Sequence, residues 1–186
     1  LFGPKYALLR PEFNKARKLR RETKRKVERL FVFYGGSDPH NLTGMTIKAL
    51  SVPELAHLYV DIVIGENNTN SNQIQNLAES RGLTNLHIQV DDIAAIMAKA
   101  DLALGSVGVN TWERICLGLP TLAIAFAENH DYVIKDLLKF NYINHLGDIS
   151  NIDESCIMDK VSEIINDQSL LSEQVEKIKH LEIGDG

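Results

Sequence analysis

Cysteine is scarce in this sequence: Cys116 and Cys156 are the two it has, far apart and with no metal-type or disulfide-type spacing. That excludes a disulfide-stapled secreted scaffold and a cysteine-built zinc site, and it points to a reducing, cytoplasmic setting. The six histidines (His40, His57, His87, His130, His145 and His180) include no pair at the short spacing of a helical zinc site, so no metal is expected. No apolar run approaches the ~20 residues that span a bilayer, and no signal-peptide pattern opens the chain. The first residue is Leu1 rather than Met, which reads as a piece of a longer protein. Neither G-x-G-x-x-G nor a Walker loop occurs. Internal repeats and low-complexity segments are absent too.

Charge, by contrast, is present but unevenly spread. Within the net −5, the stretch from Lys15 to Arg29 holds nine Lys/Arg and two Glu, or +7, leaving −12 for the remainder. Such a run suits nucleic acid or an acidic surface. Phe13, Ala16, Leu19, Thr23 and Val27, however, recur through it at three- and four-residue spacing. That is the pattern of an amphipathic helix with one packed face and one solvated cationic face. No aromatic residues are interleaved to stack bases, so the solvated face is favoured and no nucleic-acid partner is expected.

The 186 residues suffice for one domain with a sizeable core. Residues Leu1–Phe13 read as a connector, with Gly3-Pro4 breaking regular structure and Arg10-Pro11 opening the basic helix; residues 14–186 read as one lobe. Apolar runs at Leu30–Tyr34, Leu58–Ile64, Leu86–Val90, Leu102–Leu104, Thr121–Phe126 and Tyr142–His145 predict strands. Between and after them come helical stretches: Asn41–Leu50, Gln73–Arg81, Ile93–Ala100, one from Val109, His130–Phe140, Asp153–Asn166 and Ser169–His180. Gly82 suits a C-cap and Asp91-Asp92 an N-cap. Continuous rather than alternating apolar runs mark parallel strands covered on both faces. The fold class is therefore α/β, a Rossmann-like doubly wound parallel sheet that binds ligands beyond the carboxyl ends of its strands.

Two glycine corners lie at those ends, Gly35-Gly36-Ser37-Asp38-Pro39 and Gly105-Ser106-Val107-Gly108. At the second, Gly105 and Gly108 remove side chains where a strand turns into a helix, so that backbone N–H groups can approach a ligand. The first amides of a helix lack intrahelical partners and carry the positive end of the macrodipole. Such a corner suits an anion, most often phosphate. Glu113, about one turn further on, is placed to accept hydrogen bonds from a vicinal diol such as ribose, and the pair suggests a nucleotide. Glycines also occupy βα turns for steric reasons alone. Other residues keep two readings. Asp38 assists at the cleft or caps a helix; His130 titrates in the cleft or sits exposed at a helix start; Trp112 stacks a base or, the favoured reading, packs in the core or against a lobe.

Three stretches resemble one family. Gly3-Pro4-Lys5-Tyr6-Ala7-Leu8-Leu9-Arg10-Pro11-Glu12-Phe13 resembles the interdomain connector of the UDP-sugar hydrolases of pseudaminic acid biosynthesis, the PseG-like family. The corner Gly35 to Thr43 resembles that family's first C-terminal glycine loop. Gly105-Ser106-Val107-Gly108-Val109-Asn110-Thr111-Trp112-Glu113, with Gly118-Leu119-Pro120 and Ala127-Glu128-Asn129, resembles its nucleotide-binding signature. More distantly the pattern resembles MurG, the GT-B glycosyltransferase of peptidoglycan synthesis. The resemblance implies the C-terminal, UDP-binding half of a GT-B architecture, with UDP or a UDP-sugar and an N-terminal lobe as partners and no cofactor.

Carried over by resemblance, Glu113 holds the ribose hydroxyls, and Ser106, Gly108 and the amides of Val109, Asn110 and Thr111 face the diphosphate. Val90 pairs with the base through its backbone while Ile93 packs nearby. Gly35, Gly36 and Ser37 line the opposite side, and Asn129 sits near the sugar. Hydroxyl residues are usual where this chain has Val109 and Asn110, and Gln where it has His130. The family's catalytic His lies in a Gly-x-Gly-His motif of the N-terminal lobe, and nothing like it occurs here. The resemblance thus implies nucleotide binding without turnover by this chain alone. Beside the hydrolase stand a GT-B glycosyltransferase lobe and a non-catalytic UDP-binding module.

Overall fold

The computed structural model describes residues 4–19, 26–125, 131–181 and 183–184. Six strands form a single sheet: β1 (Arg29–Phe33), β2 (Tyr59–Ile64), β3 (Thr84–Ile88), β4 (Leu102–Ser106), β5 (Thr121–Ala125) and β6 (Asn144–Asp148). Every pairing is parallel, and the order is β3-β2-β1-β4-β5-β6. The helices are α1 (Pro11–Leu19), α2 (Leu42–Ala49), α3 (Ser71–Arg81), α4 (Ile93–Met97), α5 (Val109–Cys116), α6 (Asp131–Lys139), α7 (Glu154–Asn166) and α8 (Gln168–Lys179). The doubly wound architecture expected from the sequence is the one observed.

The strand period of two sorts the apolar residues onto two faces. Leu30, Val32, Val60, Ile62, Leu104 and Leu122 pack with Leu42, Ile47, Ile74, Ile157 and Val161 from α2, α3 and α7. Phe31, Val63, Ala103 and Ala123 pack on the other side with Phe13, Ile93, Met97, Ile115 and Leu137 from α1, α4, α5 and α6. Strand order reverses between β1 and β4, and there the following loops diverge to opposite faces and leave a crevice.

Three expectations need correction. The third strand lies at Thr84–Ile88 rather than Leu86–Val90, because the chain turns at Gln89 (φ 51°) once Ile88 has paired with Ile64. As an edge strand it is also less buried than its apolar letters imply. Val27 does not continue the face of the basic helix. It is buried in the cluster with Leu30, on the side of the sheet opposite Phe13; residues 20–25, with Thr23, lie outside the described residues. Finally, the sixth strand lies at Asn144–Asp148 rather than Tyr142–His145, whereas α1 does open at Pro11 and Phe13, on its packed face, is fully buried.

Asp61 interrupts the aliphatic run of β2. Its carboxylate accepts hydrogen bonds from Arg29 Nε (2.5 Å) and Asn85 Nδ2 (3.0 Å) and meets His87 Nε2 at 3.3 Å. Burial pushes its pKa up, but the bonds from Arg29, Asn85 and His87 outweigh that and hold it below the ordinary 3.8. A depressed carboxylate pKa stabilises the fold above the unfolded-state value, and that contribution is lost as pH falls through the folded-state value. Asp61→Asn should therefore cost stability near neutral pH and progressively less as pH falls through and below the ordinary carboxylate range, as measured by urea unfolding across that range.

Candidate functional site

A cleft of about 380 Å³ opens at the carboxyl ends of β1 to β4. Phe33 contributes from β1 and Gly36 from the corner after it, Val63 and Ile64 from β2 and Gly65 just past its end, and Gln89 and Val90 from the turn after β3. Ile93 comes from α4, Val109, Asn110 and Glu113 from α5, and Leu8 and Arg10 from the segment before α1. The first glycine corner, through Gly36, and the helix that follows the second, through Val109 and Asn110, thus meet at one cavity at the switch point of the sheet.

At the first corner, Gly35 takes φ 103°, a conformation L side chains resist, and Gly36 follows, exposed, in the cleft wall. Gly65 N–H donates to Gly36 O (2.9 Å), and a Cβ on Gly65 would fall 2.8–3.0 Å from Gly36 backbone atoms. The ends of β1 and β2 therefore touch backbone to backbone, a contact that the missing side chain of Gly65 permits. Ser37 is exposed beside this wall. Asp38 is buried, and both carboxylate oxygens cap α2, accepting from Leu42 N (3.0 Å) and Thr43 N (2.8 Å). Of its two readings the cap is the observed one. Asp38→Ala should lower stability by about 1–2 kcal/mol in thermal unfolding and leave ligand affinity in the cleft within about twofold.

The second corner departs from its sequence reading. Gly105 does not clear the way for a ligand, since it lies inside β4, where a Cβ would collide with Arg114 Nη1 and fall 2.6 Å from Phe33 O. Its missing side chain makes room for a buried guanidinium. Arg114 Nη2 donates to Ser106 O (2.7 Å) and Thr111 Oγ1 (3.1 Å). Thr111 Oγ1 also accepts from Gly108 N–H (3.0 Å), and Thr111 N–H donates to Gly108 O (3.0 Å). The amides of Gly108 and Thr111 and the Thr111 hydroxyl are therefore engaged within the protein. Val109 and Asn110, at the first two positions of α5, remain as the cleft-lining amides without intrahelical acceptors. Around Gly108 an added Cβ would meet no atom within 4 Å, so this is where the corner stays open.

Glu113 lies one turn deeper with 3% exposure, yet it lines the cleft. Arg10 Nε donates to its Oε1 (3.0 Å) and also approaches Glu12 at 3.4 Å, with the guanidinium over the Phe13 ring. Glu113 Oε2 is buried without a hydrogen-bond partner. A buried carboxylate oxygen left unpaired is costly and rare, and here it belongs to a residue that lines the cleft.

Of the residues singled out in sequence, Gly36, Val90, Ile93, Val109, Asn110 and Glu113 line the cleft; Gly35, Ser37, Ser106, Gly108 and Thr111 stand beside or behind it. Asn129 and His130 lie outside the described residues. Trp112 is half-buried against the core cluster of Phe31 and Ile115. Arg10, Gly65, Gln89 and Arg114 were missed. No group of His, Cys, Asp and Glu suited to a metal ion occurs among the described residues, and none of their helices is long and apolar enough to cross a membrane.

This lobe has the fold of the C-terminal domains of GT-B glycosyltransferases. MurG of Acinetobacter baumannii matches with a TM-score of 0.70 at 16% identity, over 98% of this chain and 51% of that one. WaaG, a glycosyltransferase involved in lipopolysaccharide biosynthesis, matches at 0.64 and 19%, over 98% and 50%. In sequence the chain is 28% identical over 134 residues to the spore coat polysaccharide biosynthesis protein SpsG of Bacillus subtilis, covering 72% of this chain and 39% of that protein. It is 28% identical over 151 residues to an uncharacterised protein of Methanocaldococcus jannaschii, 78% of this chain and 31% of that protein. The chain spans about a third of the length of these curated relatives. No family model matches it.

Proposed function

We propose that this lobe binds a UDP-linked sugar on behalf of a GT-B glycosyltransferase-type protein of surface-polysaccharide biosynthesis. The observation that carries the proposal is the unpartnered Glu113 Oε2, buried one helical turn below the open Val109–Asn110 amides in a cleft at the switch point. The amides and the helix dipole favour the diphosphate, and the carboxylate favours the pentose diol. Val90, past the turn at Gln89, offers its backbone to the base at the other end of the cleft. The fold shared with MurG and WaaG and the sequence similarity to a polysaccharide biosynthesis protein support the class.

In this role the C-terminal lobe holds the leaving group. Charge grows on the departing diphosphate as the sugar–phosphate bond breaks, and preorganised amides stabilise it most at that point. Titrating UDP, CDP and ADP into the protein tests the proposal: a UDP preference supports it, and equal, negligible heats for all three would remove it. A second reading, in which water takes the sugar as in the PseG-like hydrolases, is favoured by the connector motif, whose Arg10 reaches Glu113. The two separate on the fate of the glycosyl group: label from isotopic water enters the sugar released by a hydrolase, whereas a transferase needs a sugar acceptor.

A further inference from the structure

Arg114 is a buried cation with no anion bonded to it. Its side chain is fully buried, and Nε and Nη1 have no hydrogen-bond partner. The two acceptors of Nη2, Ser106 O and Thr111 Oγ1, are both neutral. Burial lowers its pKa to about 10, so it stays charged at neutral pH. Glu113 attracts it from the next position, but that carboxylate bonds Arg10 instead. A dry, under-bonded charge disfavours the fold, and an apolar residue of similar volume often serves stability better.

Its position suggests what balances it. The guanidinium fills the space at Gly105, beside Phe33 O, and bonds the carbonyl of Ser106, which places its charge under the ends of both β1 and β4. Through Thr111 it also braces the turn whose next residues, Val109 and Asn110, present their amides to the cleft. The dipole of α5 adds positive potential at that same end, and dry surroundings weaken screening between the guanidinium and an anion at the corner.

We propose that Arg114 is the buried counter-charge of the nucleotide's diphosphate, acting through its field and through the Ser106–Thr111 geometry rather than by contact. The proposal rests on the nucleotide reading of the cleft and divides recognition within it: Glu113 serves the pentose, and Arg114 is a positioning residue for the phosphates. The test is titration of UDP and uridine into wild type, Arg114→Met and Arg114→Lys, by calorimetry and by chemical-shift perturbation. Arg114→Met should weaken UDP about tenfold and leave uridine unchanged, with the charge-retaining lysine in between for UDP. A bracing role alone would survive in Arg114→Gln, whose neutral amide still donates to Ser106 O, so that variant would then bind UDP as the wild type does. Equal UDP-to-uridine affinity ratios in wild type and Arg114→Met would overturn the proposal and leave the nucleotide reading standing; a wild type that binds neither ligand would overturn both. Should Arg114→Met fail to fold, Arg114→Gln, which keeps a donor for Ser106 O, carries the same comparison.

Discussion

Glu113→Ala is expected to weaken UDP binding by about one hundred-fold, ~2.7 kcal/mol. A hydrogen bond to a charged acceptor contributes about 1.5–3 kcal/mol, so a single pentose hydroxyl donating to this carboxylate accounts for the loss. Arg10 keeps Oε1 occupied, which leaves Oε2 as the oxygen with a free acceptor site. The ligand-free fold should survive the substitution, because the Arg10 side chain is 46% exposed and water can take over its bond. Losing the unpaired buried oxygen also removes a cost from the empty protein. Glu113→Gln, neutral and similar in shape, should fall between the two, at about tenfold. Calorimetry with UDP and with its analogue lacking the 2′ and 3′ hydroxyls reads the effect directly: the variant should bind the two alike. An unchanged UDP affinity in Glu113→Ala would place the pentose elsewhere.

Much of the architecture was legible because the strands are short apolar runs set between helix signals with clear caps. Gly82 does end α3, and Asp92 accepts from Ala95 N (3.0 Å) at the start of α4. Those signals act within a few residues, which is the range a sequence displays. The two corners were legible for the same reason, and the parallel topology carried both to one end of the sheet.

What escaped was every contact made across the chain. Arg10 and Glu113 are 103 positions apart, and nothing near either residue announces the pair. Gly65 meets Gly36 only once β1 and β2 lie side by side. Arg114 was hidden by its neighbour: Glu113 faces the cleft, and a basic residue beside it reads as surface, whereas a step of 100° around the helix turns it inward. A signal did exist. Thr111 and Arg114 stand three apart on one face, ahead of the buried Ile115 and Cys116.

The same contact explains why the two glycines of the second corner should answer differently to alanine. Gly105→Ala is expected to cost about 3 kcal/mol of stability, the upper end for overpacking. Neither neighbour of the new methyl group can yield. Phe33 O, 2.6 Å away, is fixed by the pairing of Phe33 with Gly105 between β1 and β4, and the Arg114 guanidinium is enclosed on all sides. In a domain of this size that should lower the melting temperature by roughly 6–12 °C. Gly108→Ala should lower stability by less than about 1 kcal/mol, since φ there is 173° and the added atom meets nothing within 4 Å. Its methyl group would instead stand in the open corner and reduce UDP affinity. Thermal unfolding and UDP titration of the two variants should therefore give opposite patterns, one losing the fold and the other the ligand. A Gly105→Ala protein melting with the wild type would mean that Arg114 does not lie beneath the corner, and a Gly108→Ala protein binding UDP normally would mean that the diphosphate does not lie above it.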